Sequence, residues 1–220
     1  MDELLQAGLP DVLVVGGGHF GSRAVKLLAS RKRPWRLALV DLEAEQVARL
    51  KDFGVEGLVG DGVAVLDRLL QAGSLKWIVP AVPFHLAHAW VLGRVSGKRK
   101  AGKIPVPQGL AVPNPLQGPD GELYTSYATF RCPEHCSEPK EVCTVTGLPR
   151  PDPLYRVLGS LRVPGYRVTG MRSHQLGPGV GGILARELLS VLERVGQSPG
   201  RWILFTACRC HGVLSGLEIT

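Results

Sequence analysis

Two patterns in this chain combine residue types and spacings suited to chemistry. The first is Gly16-x-Gly18-x-x-Gly21, which follows the apolar run Val12–Val15 and opens a segment with helical spacing. A glycine at the first position permits a tight turn. At the second it lets a pyrophosphate approach the backbone, and at the third it lets a helix pack closely on a strand. The helix N-terminus that follows offers free N–H groups and a partial positive charge to phosphates. Asp41 stands 20 residues beyond Gly21, at the end of the next apolar run. A carboxylate there accepts hydrogen bonds from adenosine ribose hydroxyls and repels a 2′-phosphate, so the pattern points to NAD rather than NADP. The plainer reading is a structural turn with Asp41 capping a helix ahead of Glu43 and Glu45.

The second pattern is cysteine. Cys132-x3-Cys136-x6-Cys143 and Cys208-x-Cys210-His211 place all five cysteines of the chain in two tight groups. Soft thiolates at short spacing chelate Zn²⁺ or an iron–sulfur cluster. Pro133 and Pro139 stiffen the first loop. The spacing matches neither a standard zinc finger nor the usual ferredoxin run, so zinc, iron–sulfur and no metal all stay open. Without metal, Cys208 is a buried strand residue and the others are free thiols. A further alternative makes Cys208 or Cys210 a nucleophile activated by His211.

These groups need elements to hold them. From residue 11 to about 95 the sequence alternates strand and helix: strands at Val12–Val15, Arg36–Val40, Leu58-Val59 and Trp77–Val82, and helices over Ser22–Ser30, Glu43–Phe53, Val63–Ala72 and Phe84–Leu92. Short βα units of this kind predict a parallel sheet with right-handed crossovers. The expected fold class is therefore α/β: a Rossmann-type dinucleotide-binding domain over 1–95, followed by a smaller C-terminal α/β part. Residues 96–153 carry 10 prolines and three of the cysteines. Regular helix is not expected there, and a metal would order the segment. The small α/β part over 154–220 has strands at Tyr166–Met171, Trp202–Ala207 and Leu214–Ile219. It also has a glycine-rich loop at Gly177–Gly182 and a helix over Ile183–Val195. That loop, ahead of a helix, is a candidate for a second anion. His85 and His88, after the fourth strand, are candidate proton donors or acceptors, though a packing role is the commoner one for such histidines.

The stretch Val12–Asp41, with Val-Val-Gly-Gly-Gly-His-Phe-Gly-Ser-Arg, resembles the NAD-binding domains of bacterial potassium-transport regulators. It also resembles the cofactor domains of saccharopine-dehydrogenase-like proteins. In both families a Gly-Asp pair follows the third strand, and Gly60-Asp61 stands there here, so the resemblance puts Asp61 near the adenine end of the cofactor. Ile78-Val79-Pro80-Ala81-Val82-Pro83 resembles the fourth strand of the second family, which ends beside the cofactor and brings Val82 there. Across the matched turn the resemblance makes Gly16, Gly18, His19, Phe20 and Gly21 cofactor-binding. It covers residues 12–95 and implies binding, not a reaction. Precorrin-2 dehydrogenases share the Gly-Gly-Gly turn but usually lack the third glycine and the ribose acid; Gly21 and Asp41 argue against them.

Composition narrows the partners. The chain has 220 residues, 45% of them hydrophobic, so it can bury a core. Its net charge of +7 sits partly in Arg31-Lys32-Arg33 and Lys98-Arg99-Lys100. These runs lack interleaved aromatics and match no nucleic-acid motif, so no nucleic-acid partner is expected. Apolar stretches fall well short of the ~20 residues of a transmembrane helix. The acidic start Met1-Asp2-Glu3 is unlike a signal peptide. A cytoplasmic protein follows, in which clustered cysteines mean metal or redox chemistry rather than disulfides. The expected function is an NAD-binding protein with a Zn or Fe–S site, working as an oxidoreductase or redox-responsive subunit, alone as a homo-oligomer or beside a partner subunit. The alternatives are a non-catalytic NAD/NADH-sensing regulator and a metal-stabilised assembly module. No catalytic residue stands out.

Overall fold

A computed structural model describes residues 8–32 and 35–220. The Met1-Asp2-Glu3 start and Arg33 of the first basic run lie outside the described residues. The protein is mixed α/β, with two sheets, and divides into two compact units. One comprises the chain up to Leu86 together with Val180–Arg186. The other comprises Ala87–Gly179 with Glu187–Thr220.

In the first unit the strands are β1 (Val12–Val15), β2 (Leu37–Asp41), β3 (Glu56–Val59), β4 (Trp77–Pro80) and β10 (Val180–Leu184). They lie in the order β3-β2-β1-β4-β10. The first four are mutually parallel, and β10 joins β4 antiparallel, with Ile183 opposite Ile78. Val12–Val15 and Leu37–Val40 are buried throughout, as expected of strands covered on both faces. Helices α1 (His19–Ala29), α2 (Ala44–Ala48) and α3 (Gly62–Gln71) follow β1, β2 and β3. Helix α1 buries Gly21, Ala24, Val25 and Leu28, a stripe at helical spacing. Helix α3 buries Val65, Leu66, Leu69 and Leu70. The helix expected over Glu43–Phe53 is shorter: α2 stops at Ala48, a 3₁₀ turn covers Lys51–Phe53, and Gly54 closes it in the left-handed region at φ 67°.

In the second unit the strands are β5 (Ala101–Ile104), β6 (Leu116–Gln117), β7 (Leu123–Ser126), β8 (Tyr166–Arg172), β9 (His174–Gly177), β11 (Gly200–Ala207) and β12 (His211–Ile219). The sheet order is β6-β7-β12-β11-β8. Along one edge β12 pairs first with β7 over His211–Leu214, then with β5 over Gly216–Ile219. Helix α4 (Leu86–Ser96) begins at the border between the units, and α5 (Leu154–Gly159) lies wholly in the second. Leu154 and Leu158 of α5, both fully buried, pack against Ile203, Phe205, Ala207 and Leu214. No helix lies between 97 and 153, in keeping with the prolines, although short strands do.

The glycine-rich stretch Gly177–Gly182 is not an open loop ahead of a helix. Val180–Leu184 forms β10, and only Ala185–Gly196 is helical (α6). Val180, Ile183 and Leu184 are buried, and Ile183 and Leu184 pair with Ile78 and Trp77 of β4. The expected second anion site at a helix N-terminus is therefore not formed there. The units also cut across the sequence divisions at 95 and 153, because β10 belongs to the first sheet. No helix among the described residues is long and apolar enough to cross a membrane.

Candidate functional site

The glycine turn sits between β1 and α1. Gly16 has φ +98°, a region costly for any side chain, and a Cβ there would stand 2.5 Å from the Ala81 carbonyl oxygen. A Cβ on Gly21 would stand 1.8 Å from the Gly16 carbonyl oxygen, so α1 rests directly on the turn. Gly18 differs: a Cβ there meets nothing within 4 Å. Gly16 and Gly21 are required by packing inside the protein, whereas Gly18 faces open space at the start of α1.

Asp41 lies close by. Its Oδ2 accepts the Gly17 N–H at 2.6 Å, and its Oδ1 accepts the Glu43 N–H at 2.9 Å. Each carboxylate oxygen keeps lone-pair capacity for a further donor. Val82 lies against the turn, 3.2 Å from the position of a Gly16 Cβ. His19 and Phe20 are both exposed, and their rings pack edge to face at 5.2 Å. Asp61 is exposed, and its carboxylate caps α3 by accepting the Ala64 N–H at 2.7 Å. Exposed apolar side chains gather at the carboxyl ends of the parallel strands: Phe20 after β1, Leu42 after β2, Val59 at the end of β3 and Phe84 after β4. In open α/β sheets that edge is where ligands bind. Sequence reading passed over Leu42, Val59 and Phe84; apolar residues immediately after a strand were the signal.

The histidines after β4 divide. His88 is buried, and its Nε2 lies 3.0 Å from the Gly216 carbonyl. Burial lowers its pKa, so it is held neutral as a packing residue. His85 is half-buried.

The cysteines converge in the second unit, on three turns. Cys132 and Cys136 lie on an irregular segment after β7. The Glu138 N–H donates to the Cys136 sulfur at 3.4 Å, while the Cys136 carbonyl accepts from Gln175 Nε2 at 2.6 Å and from the Gly179 N–H at 3.0 Å. Cys143 opens a small hairpin, with Val142 bridged to Pro149 and the Gly147 N–H bonded to the Cys143 carbonyl at 2.8 Å. Backbone N–H groups of Thr146 and Val145 donate to its sulfur and lower its pKa to about 7.

Cys208, Cys210 and His211 form the β11–β12 turn, closed by the Cys208 N–H on the His211 carbonyl at 2.9 Å. Helix α5 braces it: the Leu154 N–H donates to the Arg209 carbonyl at 2.9 Å and the Tyr155 N–H to the Cys208 carbonyl at 3.3 Å. This also satisfies N–H groups that a helix N-terminus leaves unpaired. The N–H groups of Cys210 and His211 both donate to the Cys208 sulfur at 3.4 Å. Burial pushes the Cys208 thiol up to about 12.

Side chains tie the turns together. His211 Nε2 lies 3.5 Å from the Cys132 sulfur and its Nδ1 3.7 Å from the Cys208 sulfur. The Arg150 guanidinium donates to the Cys210 sulfur. Cys132 is within electrostatic range of Cys136, Cys143 and Arg150, and Cys210 within range of Cys132, Cys136 and Arg150. The Arg150 Nε is buried and has no hydrogen-bond partner among the described residues.

The donor set suits a soft metal or cluster. It supplies five thiols on stiff turns, three of them with N–H groups aimed at sulfur, and a buried guanidinium nitrogen still to be satisfied. Among the described residues, no three His, Cys, Asp or Glu side chains already stand at ligating distance of one point. Ligation therefore requires the thiols to rotate onto a common centre. As a nucleophile beside His211, Cys208 is poorly suited, because burial pushes its thiol up to about 12 and leaves little thiolate.

Among known proteins, an "Uncharacterized protein" of Archaeoglobus fulgidus is 28% identical over 229 residues, covering 94% of this chain and 98% of its own length. No solved structure matches. Residues 84–220, a span that holds all five cysteines, match the family described as "Uncharacterized protein, C-terminal domain", and the chain belongs to that family.

Proposed function

We propose that this is an NAD-binding protein with a cysteine-ligated Zn or Fe–S centre, acting in the cytoplasm as an oxidoreductase or a redox-responsive subunit. On this reading the first unit is a Rossmann-type domain. One observation carries the dinucleotide assignment. Gly18 is the member of the glycine triplet whose missing side chain nothing in the protein requires, and it faces open space at the N-terminus of α1, beside the Asp41 carboxylate. A pyrophosphate there takes the N–H groups of the first helical turn. The adenosine ribose hydroxyls donate to Asp41, and the rings rest on the apolar side chains at the strand ends. Bound NAD would supply hydride chemistry; the protein binds and orients it.

On the same reading Cys132, Cys136, Cys143, Cys208 and Cys210 of the second unit would hold the metal, each thiol losing its proton as it binds. The backbone N–H groups on the sulfurs of Cys136, Cys143 and Cys208, and the Arg150 guanidinium on Cys210, would stabilise the charged form that a metal takes.

The test is a titration of the full chain with NADH and NADPH, followed by nicotinamide fluorescence, on protein purified without oxygen and analysed for metal and sulfide. NADH binding in preference to NADPH, with zinc or with iron and sulfide bound, supports the reading. Absence of any dinucleotide binding overturns its first half, and absence of metal its second. Turnover of bound NADH with a substrate pool makes the protein an oxidoreductase. Binding without turnover makes NADH a regulatory ligand that shifts a conformational equilibrium.

A further inference from the structure

The basic run Lys98-Arg99-Lys100 plays no part in the two sites above, yet it has a definite setting. In the second unit a cavity of about 380 Å³ is lined by the last turns of α4 and α6 and by the residues just after α4. That volume falls within the range of small-molecule sites. Its apolar wall is Val95, which is buried, Leu192, which is half-buried, and Leu189, which is 43% exposed. Arg94, Lys98 and Arg99 supply three cations to the lining and Glu193 one carboxylate, an excess of two positive charges. The C-terminal ends of α4 and α6 each contribute roughly half a negative charge, which offsets about one of the two. Lys98 and Arg99 are exposed, and no ion pair engages either side chain among the described residues. The Glu193 carboxylate instead accepts from Gln197 Nε2 at 3.4 Å.

Gly196, the last residue of α6, also lines the cavity. A Cβ there meets nothing within 4 Å, and Gly196 is not among the glycines with positive φ. Neither packing nor backbone conformation requires glycine at this position, and glycine is a poor helix former. Its missing side chain leaves the cavity open.

We propose that this cavity binds a small organic acid, a single carboxylate on an apolar body. The net lining charge of about +1 matches one carboxylate. The guanidinium groups of Arg94 and Arg99 can each take a carboxylate through two parallel N–H···O bonds, and Lys98 adds a third cation. The apolar body rests on Val95, Leu189 and Leu192, in the space that a side chain at 196 would fill. The proposal is independent of the dinucleotide and metal readings, because none of these residues belongs to either site.

Sodium octanoate is the probe, titrated into the full chain below its micelle concentration and followed by calorimetry. A dissociation constant below about 1 mM is expected. Acetate, which lacks the apolar body, and octanamide, which lacks the charge, should each bind at least about tenfold more weakly. Gly196→Leu should lose at least about tenfold in octanoate affinity by filling the cavity, with an unfolding midpoint equal to or above that of the parent. The double variant Lys98→Gln/Arg99→Gln should lose a similar factor, whereas Lys100→Gln, in the same run but outside the lining, should bind as the parent does. Should Gly196→Leu fail to fold, Leu189→Asp puts a carboxylate on the exposed part of the apolar wall and should lose at least as much. Absence of octanoate binding by the parent overturns the site. Parent-like affinity in Gly196→Leu or Leu189→Asp places octanoate elsewhere and overturns it too. An equal loss in Lys100→Gln and the double variant reduces the effect to surface charge and overturns the cavity. Octyl phosphate bound more tightly than octanoate overturns the carboxylate assignment.

Discussion

The glycine turn of the first unit and the cysteine turns of the second are both loops at strand ends, yet they are built by opposite means. The first is fixed by contacts of the bare backbone. Gly21 rests on the Gly16 carbonyl, and the Gly17 N–H is held by Asp41 at 2.6 Å. Its shape is complete before any ligand arrives. The second is assembled from three turns, two of them neighbours in sequence and the third at Cys208–His211, joined by side chains through His211 and Arg150. No three of its side chains stand at ligating distance of one point among the described residues. A site made by sterics is preorganised and tolerates few substitutions. On the proposed reading, a site made of soft side chains would be closed by what it binds, and its loops would tolerate change where the proposed ligands would not.

Substitutions at the glycine turn and reactivity at the cysteine turns can break that comparison. Gly21→Ala should have the largest effect, because the new methyl would stand 1.8 Å from a backbone oxygen and the helix must move. We expect a loss of about 3 kcal/mol or more in thermal or denaturant unfolding, with dinucleotide binding abolished. A stable Gly21→Ala protein would show that the turn is not sterically set.

Next in size is the contrast between thiols in the metal-free protein. At pH 7 Cys143, lowered to about 7, is half ionised, whereas Cys208, raised to about 12, is almost wholly protonated. Alkylation followed by mass spectrometry should modify Cys143 at least about a hundredfold faster, after allowing for the higher intrinsic reactivity of the more basic thiolate. Comparable rates would mean that the Cys208 turn is not closed.

Asp41→Ala removes acceptors from two backbone N–H groups. It should cost about 2 kcal/mol of stability in the first unit and reduce the preference for NADH over NADPH. Gly18→Ala sharpens the comparison from the other side. A methyl group there meets nothing, so stability should change by less than about 1 kcal/mol while NADH affinity falls about tenfold. Equal losses of stability and affinity would make Gly18 a folding glycine like its neighbours.

The smallest effect concerns His88. Its folded pKa lies below 6.5, so between the two values the unfolded chain binds the proton that the folded protein refuses. Stability contributed by neutral His88 is present in full above pH 6.5 and declines as pH falls below it. Equilibrium unfolding between pH 7 and pH 5 should show this slope, and His88→Gln should flatten it.

The βα alternation of the first unit was legible because strands covered on both faces are unbroken apolar runs and the helices carry stripes at helical spacing. Asp41 was legible for the same reason, since it ends such a run. What escaped was non-local. In Val180–Leu184 the flanking glycines read as a loop, and only the partner strand, with Ile78 opposite Ile183, makes it a strand. The grouping of the cysteines was visible in their spacing. The roles of His211 and Arg150 were not, because they depend on how separate turns meet: Arg150 lies 60 residues from Cys210. The matched family over 84–220 covers the cysteines but not the glycine turn.

The return of β10 to the first sheet has a consequence for how the chain is made. A ribosome delivers β1 to β4 early, but the strand that covers the edge of β4 arrives some hundred residues later. During that interval the nascent sheet presents an unpaired row of backbone N–H and C=O groups on β4, beside the buried side chains Ile78 and Val79. The first unit therefore closes only after the Ala87–Gly179 part of the second has been synthesised, with β11 and β12 still to come, and the edge of β4 is where a stalled or truncated chain would aggregate.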